Sequence, residues 1–197
     1  MSETLEFDVL DHEYTLGGRK LPSVTQIIGS QFPLLNIPQA ALEFARQMGV
    51  AIHSACELYD IEKLDWSTLD LKVVPYVKAW QRARDQLNLE IVDIEVATHH
   101  RLLFYAGRVD RVIKLNGVLG VLDLKRPILN DRAGVQTCAY MHALNTSNYR
   151  HGRIVTRFAI QLRSDGSYRL RQYKDESDWS VFTAALTIHN WRKSHDI

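Results

Sequence analysis

The chain has 197 residues, 46% of them hydrophobic and 24% charged, with 24 Lys+Arg against 23 Asp+Glu, enough to bury one sizeable core as a single domain. A net charge of +1 excludes a uniformly basic nucleic-acid binder but leaves room for one basic face. Two cysteines, Cys56 and Cys138, exclude a disulfide framework or a four-cysteine metal site and favour a reducing interior; with an acidic N-terminus unlike a signal peptide and no membrane-length apolar run, a cytoplasmic location is expected.

In chain order, Gly17-Gly18 between Glu13-Tyr14-Thr15-Leu16 and Leu21-Pro22-Ser23-Val24 predicts a hairpin, the centre of an N-terminal β-ribbon over about residues 5–28. Pro38 suits the first turn of a helix whose apolar positions Leu42, Ala45, Gly49, Ile52, Cys56 and Tyr59 recur at spacings of three and four. A second helix fits Asp70 to Leu87, with Pro75 tolerated near its start. The period then drops to two, predicting strands over 91–98, 103–115 and 118–124, the last pair joined by the hairpin signal Asn116-Gly117. Asn130-Asp131 can cap a helix to about Leu144, a further hairpin spans 153–173 around Ser164-Asp165-Gly166, and a closing helix covers about 175–195. This order predicts a mixed α/β fold, a central mixed sheet flanked by helices, in one domain over 1–197.

The Asn116-Gly117 turn also predicts a register. Cross-strand partners have numbers summing to 233, which sets Asp110 opposite Asp123 and Arg108 opposite Lys125. Residues two apart on a strand share a face, so all four side chains project together. Opposed carboxylates, with Cβ atoms about 4.5–5.5 Å apart, destabilise a sheet unless a proton or a cation neutralises them. Hard oxygen donors suit Mg²⁺ or Mn²⁺ shared with a substrate phosphate, and Lys125 adds a positive charge beside them. The bland alternative is a set of solvated pairs, Asp110 with Arg108 or Arg111 and Asp123 with Lys125 or Arg126, worth little. The run Val118–Leu122, apolar on both faces, favours the site because it implies a buried setting for Asp123.

Gly107-Arg108-Val109-Asp110 followed by Val121-Leu122-Asp123-Leu124-Lys125 resembles the PD-(D/E)XK nuclease signature, in the form found in the RecB-like exonuclease family. Gly49-Val50-Ala51-Ile52-His53 resembles that family's Gly-x-x-x-His motif, Glu95 falls where it often has an acid, and Gln136-Thr137-Cys138-Ala139-Tyr140 resembles its Gln-x-x-x-Tyr motif. The ribbon ending Leu21-Pro22-Ser23-Val24-Thr25 is similar to the start of small phage-encoded and mitochondrial members, and the likeness spans about residues 14–145. It implies a restriction-endonuclease-like αβββαβ core. It implies His53, Asp110, Asp123 and the Leu124 backbone carbonyl as metal ligands, with Lys125, Asp110, Asp123 and Glu95 catalytic. Gln136, Tyr140, Arg108 and Arg126 would bind substrate. Arg126-Pro127 departs from the small hydroxyl residue common after the lysine, and the cysteine quartet of the iron–sulfur branch is missing, so no iron–sulfur cluster is expected.

Other residues carry weaker signals. A lone helical histidine such as His53 is more often a packed residue than a ligand without that resemblance, and His99-His100 point to opposite faces of a strand and cannot share an ion. Residues 150–174 hold seven Lys or Arg against one acid, with Tyr149, Phe158, Tyr168 and Tyr173 interleaved, a composition suited to a single-stranded nucleic-acid path. Trp80, Trp179 and Trp191 sit on apolar helical stripes and read as core. The resulting expectation is a Mg²⁺- or Mn²⁺-dependent DNA exonuclease of a phage or bacterium, acting in replication, recombination or repair. Its partners would be DNA, single-stranded or at ends, and replication or recombination proteins, with no membrane. The alternatives are a catalytically silent, nuclease-derived module that binds DNA or protein, and a glycosidase, in which Lys125 has no obvious task.

Overall fold

Strands β4 (Glu90–His99), β5 (Ala106–Leu115), β6 (Val118–Lys125), β7 (Thr156–Leu162) and β8 (Tyr168–Gln172) lie in that order in one sheet of a computed structural model. The structure describes residues 4–8, 13–32, 38–126, 129–147 and 149–196. Only β6 and β7 pair in parallel, and the crossover this demands is helix α4 (Asp131–Thr146). A small antiparallel sheet of β1 (Leu5–Asp8), β2 (Glu13–Leu16) and β3 (Arg19–Leu21) precedes it, followed by α1 (Val24–Gln31), α2 (Gln39–Asp60) and α3 (Val74–Leu87); α5 (Ser177–Ser194) ends the described chain. The fold is mixed α/β as expected, and the run α3, β4, β5, β6, α4, β7 has the anticipated αβββαβ order.

Strand alternation divides the core into two layers. On one face Leu122, Leu124, Phe158, Ile160 and Leu162 pack against Ile52 and Cys56 of α2 and Val77 and Trp80 of α3. On the other, Val112 and Val121 meet Ile27 of α1, Ala139 and Ala143 of α4 and Phe182 of α5. Gly120 has a steric task at this seam, because a Cβ there would collide with the Thr156 side chain and come within 3.0 Å of its backbone oxygen.

Several expectations are corrected. Residues 24–28 are helical instead of part of the ribbon, because Ser23 accepts from the Gln26 backbone N–H at 3.1 Å while Gln26 Oε1 accepts from Ser23 N at 2.9 Å, a reciprocal capping box. The strand expected from 103 starts at Ala106, since His100 Nδ1 accepts from the N–H groups of Leu102 and Leu103 and holds a turn. Asn130 stands at the start of α4 without making a side-chain cap. Trp80 is fully buried, but Trp191 is 53% exposed and is no core residue.

One polar network crosses the lower layer. The Arg111 side chain is wholly buried; its Nε donates to Asp60 Oδ2 at 2.6 Å and its Nη1 to the Asp110 carbonyl at 2.6 Å and to Glu95 Oε1 at 3.1 Å. Asp60, the last residue of α2, also accepts from Trp80 Nε1 at 2.8 Å and Arg84 Nη1 at 2.7 Å, so one carboxylate ties α2, α3 and β5 together. Removing one partner of a buried pair strands the other charge in a medium that solvates it poorly. Asp60→Ala is therefore expected to destabilise the protein by about 3–5 kcal/mol in urea unfolding, and an effect below ~1 kcal/mol would mean that water already reaches Arg111.

Candidate active site

The β5–β6 ladder follows the register expected from the turn, from Leu115↔Val118 to Arg111↔Leu122, the last described pair. At the next position the Asp110 carboxylate replaces a backbone acceptor, its Oδ2 taking the Leu124 N–H at 2.7 Å. The acids thus begin where the ladder stops. Asp110 and Asp123 are both buried, at 8% and 2% exposure, so the solvated-pair alternative does not describe them. Arg108 and Arg111 do not neutralise the Asp110 carboxylate: they turn to Glu95, at 2.8 Å and 3.1 Å.

Glu95 reaches the site through an unusual backbone. β4 pairs Ile94↔Arg111 and Val96↔Val109, and between them Glu95 has φ +51°, a left-handed conformation inside a strand. For a residue with a Cβ this costs on the order of 1–3 kcal/mol and persists only where surrounding contacts hold it. Here two arginines do so. Burial pushes the Glu95 carboxyl above its ordinary range and the Asp110 charge adds to this, against the pull of Arg108 and Arg111.

His53 projects from α2 to the same point. Its Nε2 lies 3.1 Å from the Leu124 carbonyl, which can only accept, and its Nδ1 lies 3.6 Å from Asp110 Oδ2. The ligand atoms of His53, Glu95 and Asp110 all fall within 4.8 Å of one another. Asp123 shares the pocket but stands outside this trio: Gln136 Nε2 donates to its Oδ1 at 3.0 Å, and Lys125 Nζ lies 2.7 Å from its Oδ2. Apart from this ion pair, the buried Oδ2 has no hydrogen-bond partner among the described residues. Lys125 directs a bond of 3.0 Å to Gln136 Oε1, and Gln136 Nε2 also donates to the Tyr140 hydroxyl at 3.1 Å. Gln136 and Tyr140, four apart on α4, are one turn apart on one face.

These groups line a cavity of about 520 Å³, with Arg108 and Gly107 on one wall and Gly49, Val50 and Ser54 of α2 on another. Gly107 has to be a glycine, since a Cβ would lie 2.6 Å from the Tyr140 ring. Phe7, Tyr14 and Ser23 add a wall from the ribbon that sequence reasoning did not assign to the site. Arg126 does not line this cavity; it borders a neighbouring, more apolar hollow with Leu42, Ala45, Asn130 and Leu162. Asp60 and Arg111 were also missed as supporting residues. Their signals were available: Asp60 falls seven residues after His53, on the same helix face, and Arg111 interrupts an apolar strand.

The nucleic-acid path expected along 150–174 does not form as one surface. Arg157 is buried against Asp178, Arg171 pairs with Asp131 and Arg150 with Asp93. Phe158 and Tyr173 are core, Tyr149 donates to Asp93, and Tyr168 packs beside α3 and donates to Gln86.

Burial raises the Asp123 carboxyl to about 6, with Lys125 opposing the rise and Asp110 reinforcing it. Burial alone would depress the Lys125 ammonium, but Asp123 and Asp110 outweigh it and hold it above its ordinary value. A carboxyl raised in the folded state stabilises that state most below its unfolded value near 4, and this contribution is lost as pH rises through about 6. In metal-free protein, the stability of Asp123→Asn relative to the parent is thus expected to improve between pH 4 and pH 7, by up to ~3 kcal/mol, since each tenfold change in proton affinity is worth about 1.4 kcal/mol. Thermal unfolding of both proteins across that range measures it, and a pH-independent difference would refute it.

No protein-family model matches the chain, and no curated protein matches it in sequence. Among solved structures, it is similar to LHK-Exo in complex with dAMP, at 13% identity and a TM-score of 0.35, covering 89% of this chain and 93% of that one. It is likewise similar to the alkaline exonuclease LHK-Exo from Laribacter hongkongensis, at 11% identity and a TM-score of 0.36, covering 89% and 94%. At those TM-scores the superposition carries no argument about activity. The functional reading rests on the pocket.

Proposed function

We propose that the protein is a divalent-metal-dependent DNA exonuclease of the PD-(D/E)XK superfamily, RecB-like in type, formed by one domain. The observation that supports it most is the convergence of His53, Glu95, Asp110, Asp123 and Lys125 on one cavity from α2, β4, β5 and β6. Neither a glycosidase nor a solvated salt-bridge cluster uses a half-buried lysine set against buried acids in this way.

The donor set suits a hard cation such as Mg²⁺ or Mn²⁺: carboxylate oxygens, a carbonyl and one imidazole, with a buried carboxylate oxygen on Asp123 met by the Lys125 ammonium alone. His53, Asp110, Asp123 and the Leu124 carbonyl, with Glu95 beside them, would hold it. When bound, the ion polarises the phosphoryl oxygen and offsets the charge developing on the phosphate. The Lys125 ammonium, fixed by Asp123 and Gln136, offers a positive charge to a phosphate oxygen or orients the attacking water. Gln136 keeps Lys125 and Tyr140 in register, and Arg108 at the mouth positions the phosphodiester. The setting we infer is DNA replication, recombination or repair in the cytoplasm of a bacterium or a phage-infected cell, alongside the proteins of those processes.

The test is digestion of 5′- and 3′-labelled linear DNA beside a closed circle, with Mg²⁺, Mn²⁺ or EDTA. Metal-dependent loss of the linear species alone is expected, the order of label release giving the polarity. Lys125→Ala and Asp110→Asn are each expected to lower the rate by roughly 10²–10⁴-fold with the fold retained. DNA binding that persists in EDTA without cleavage in either metal would favour the silent binding module instead.

A further inference from the structure

Resting on that reading, we propose that a row of side chains leading from Lys125 across β7 to the edge strand β8 is the track followed by the sugar–phosphate backbone of the strand being cut. Cross-strand partners share a face, and the pairings Lys125↔Gln161 and Gln161↔Arg169 place these three residues in one line on the face that carries α4. The next row confirms the facing: Asp123↔Ala159↔Arg171, with Arg171 reaching Asp131 at the start of α4 at 2.6 Å. The alternate residues, Tyr168 and Leu170, pack on the opposite layer.

The row is built to meet phosphate. Gln161 is half-buried, and Arg169 and Arg163 are exposed; Arg163 Nε donates to Gln161 Oε1 at 3.4 Å, which draws its guanidinium alongside. Among the described residues neither Arg163 nor Arg169 has an acid within ion-pair distance, whereas Arg150, Arg157 and Arg171 of the same segment each contact one. Asp165, the one acid of the segment, accepts from the Ser167 N–H at 2.8 Å and feels the Arg163 charge only from beyond ion-pair distance. Arg153 and Lys174 belong to the other end of these strands, just before β7 and just after β8, away from the site. From Lys125 to Arg169 the row crosses two strand spacings, roughly 10 Å, which is about three nucleotides at ~3.4 Å per stacked nucleotide. No aromatic of β7 or β8 faces this row: Phe158 is core and Tyr168 lies on the other face. The track therefore holds phosphates without reading bases, and its affinity depends on salt. Positive residues on an edge strand also discourage pairing with other chains; that role accounts for Arg169 but not for Arg163, which lies beyond the ladder.

The experiment measures binding of fluorescein-labelled oligo(dT) of about 20 nucleotides in EDTA, across a salt series, by anisotropy. Arg163→Gln/Arg169→Gln is expected to weaken binding about tenfold near 0.1 M salt and to flatten the log–log salt slope by about 1.4, at ~0.7 per lost contact on a single strand. Arg153→Gln/Lys174→Gln, which removes the same charge off the track, is expected to change affinity less than twofold. Arg163→Gln alone, which leaves β8 intact, is expected to give about half the slope change, and covers the case in which the double variant associates through its edge. Equal losses in both double variants, or none in either, would overturn the track while cleavage of DNA by the parent protein upheld the nuclease reading. A parent that neither binds nor cuts DNA would overturn both.

Discussion

A single buried guanidinium organises the site. Arg111 is fully buried, and an arginine cannot shed its charge to escape that environment. It must be met by anions and carbonyls of fixed position, and the chain supplies Asp60 from the end of α2, Glu95 from β4 and the carbonyl of Asp110. Asp60 sets the rotation of α2 about its own axis, and His53, seven residues earlier and on the same face, is thereby aimed at Asp110 and the Leu124 carbonyl. Glu95 bears a conformational cost for its part, held at positive φ by two arginines. The ion network is thus less a source of net stability, since buried pairs roughly cancel their desolvation, than a means of fixing where three elements meet.

The second constraint is the crowding of Asp110 and Asp123. A regular ladder would bring these carboxylates directly opposite one another, and the described β5–β6 pairs stop one step short of that arrangement. Asp110 instead accepts from the Leu124 N–H, and Asp123 turns to Lys125 and Gln136. The pocket that both acids line lies at this end of the ladder. The interval of four between Gln136 and Tyr140 then places both on the helix face above it, each tied to the acids through one amide group.

What was legible in the sequence follows from this physics. The hairpin turn specified its register as far as Arg111↔Leu122; the expected pairs Asp110↔Asp123 and Arg108↔Lys125 are not among the described ladder partners, yet those four residues line one pocket with His53, Gln136 and Tyr140, whose helical spacing placed them on faces that meet there. Interactions set by tertiary contact were not legible. No pattern of apolar residues reports that Asp60 and Arg111 are 51 positions apart in sequence and 2.6 Å apart in space, or that Glu95 leaves the strand conformation. The basic run after Arg150 misled in the other direction, because composition does not distinguish a solvated arginine from one neutralised inside the fold, as Arg157 is by Asp178. The helix after Ser23 was obscured by reading Leu21 to Val24 as strand, although Ser23 and Gln26 stand at capping-box spacing.

The balance of charge joins these features to the proposed chemistry. Five acids lie at or under the pocket, Glu57, Asp60, Glu95, Asp110 and Asp123, against four permanent cations, Arg84, Arg108, Arg111 and Lys125. The metal-free site therefore offers no positive excess and has little long-range attraction for a polyanion. A divalent cation would shift that balance toward positive charge, which a phosphodiester can then offset. On the nuclease reading, then, metal and scissile phosphate favour each other's binding through charge alone, and a strand held at a distance by arginines is gripped at the reacting bond only once the ion is present.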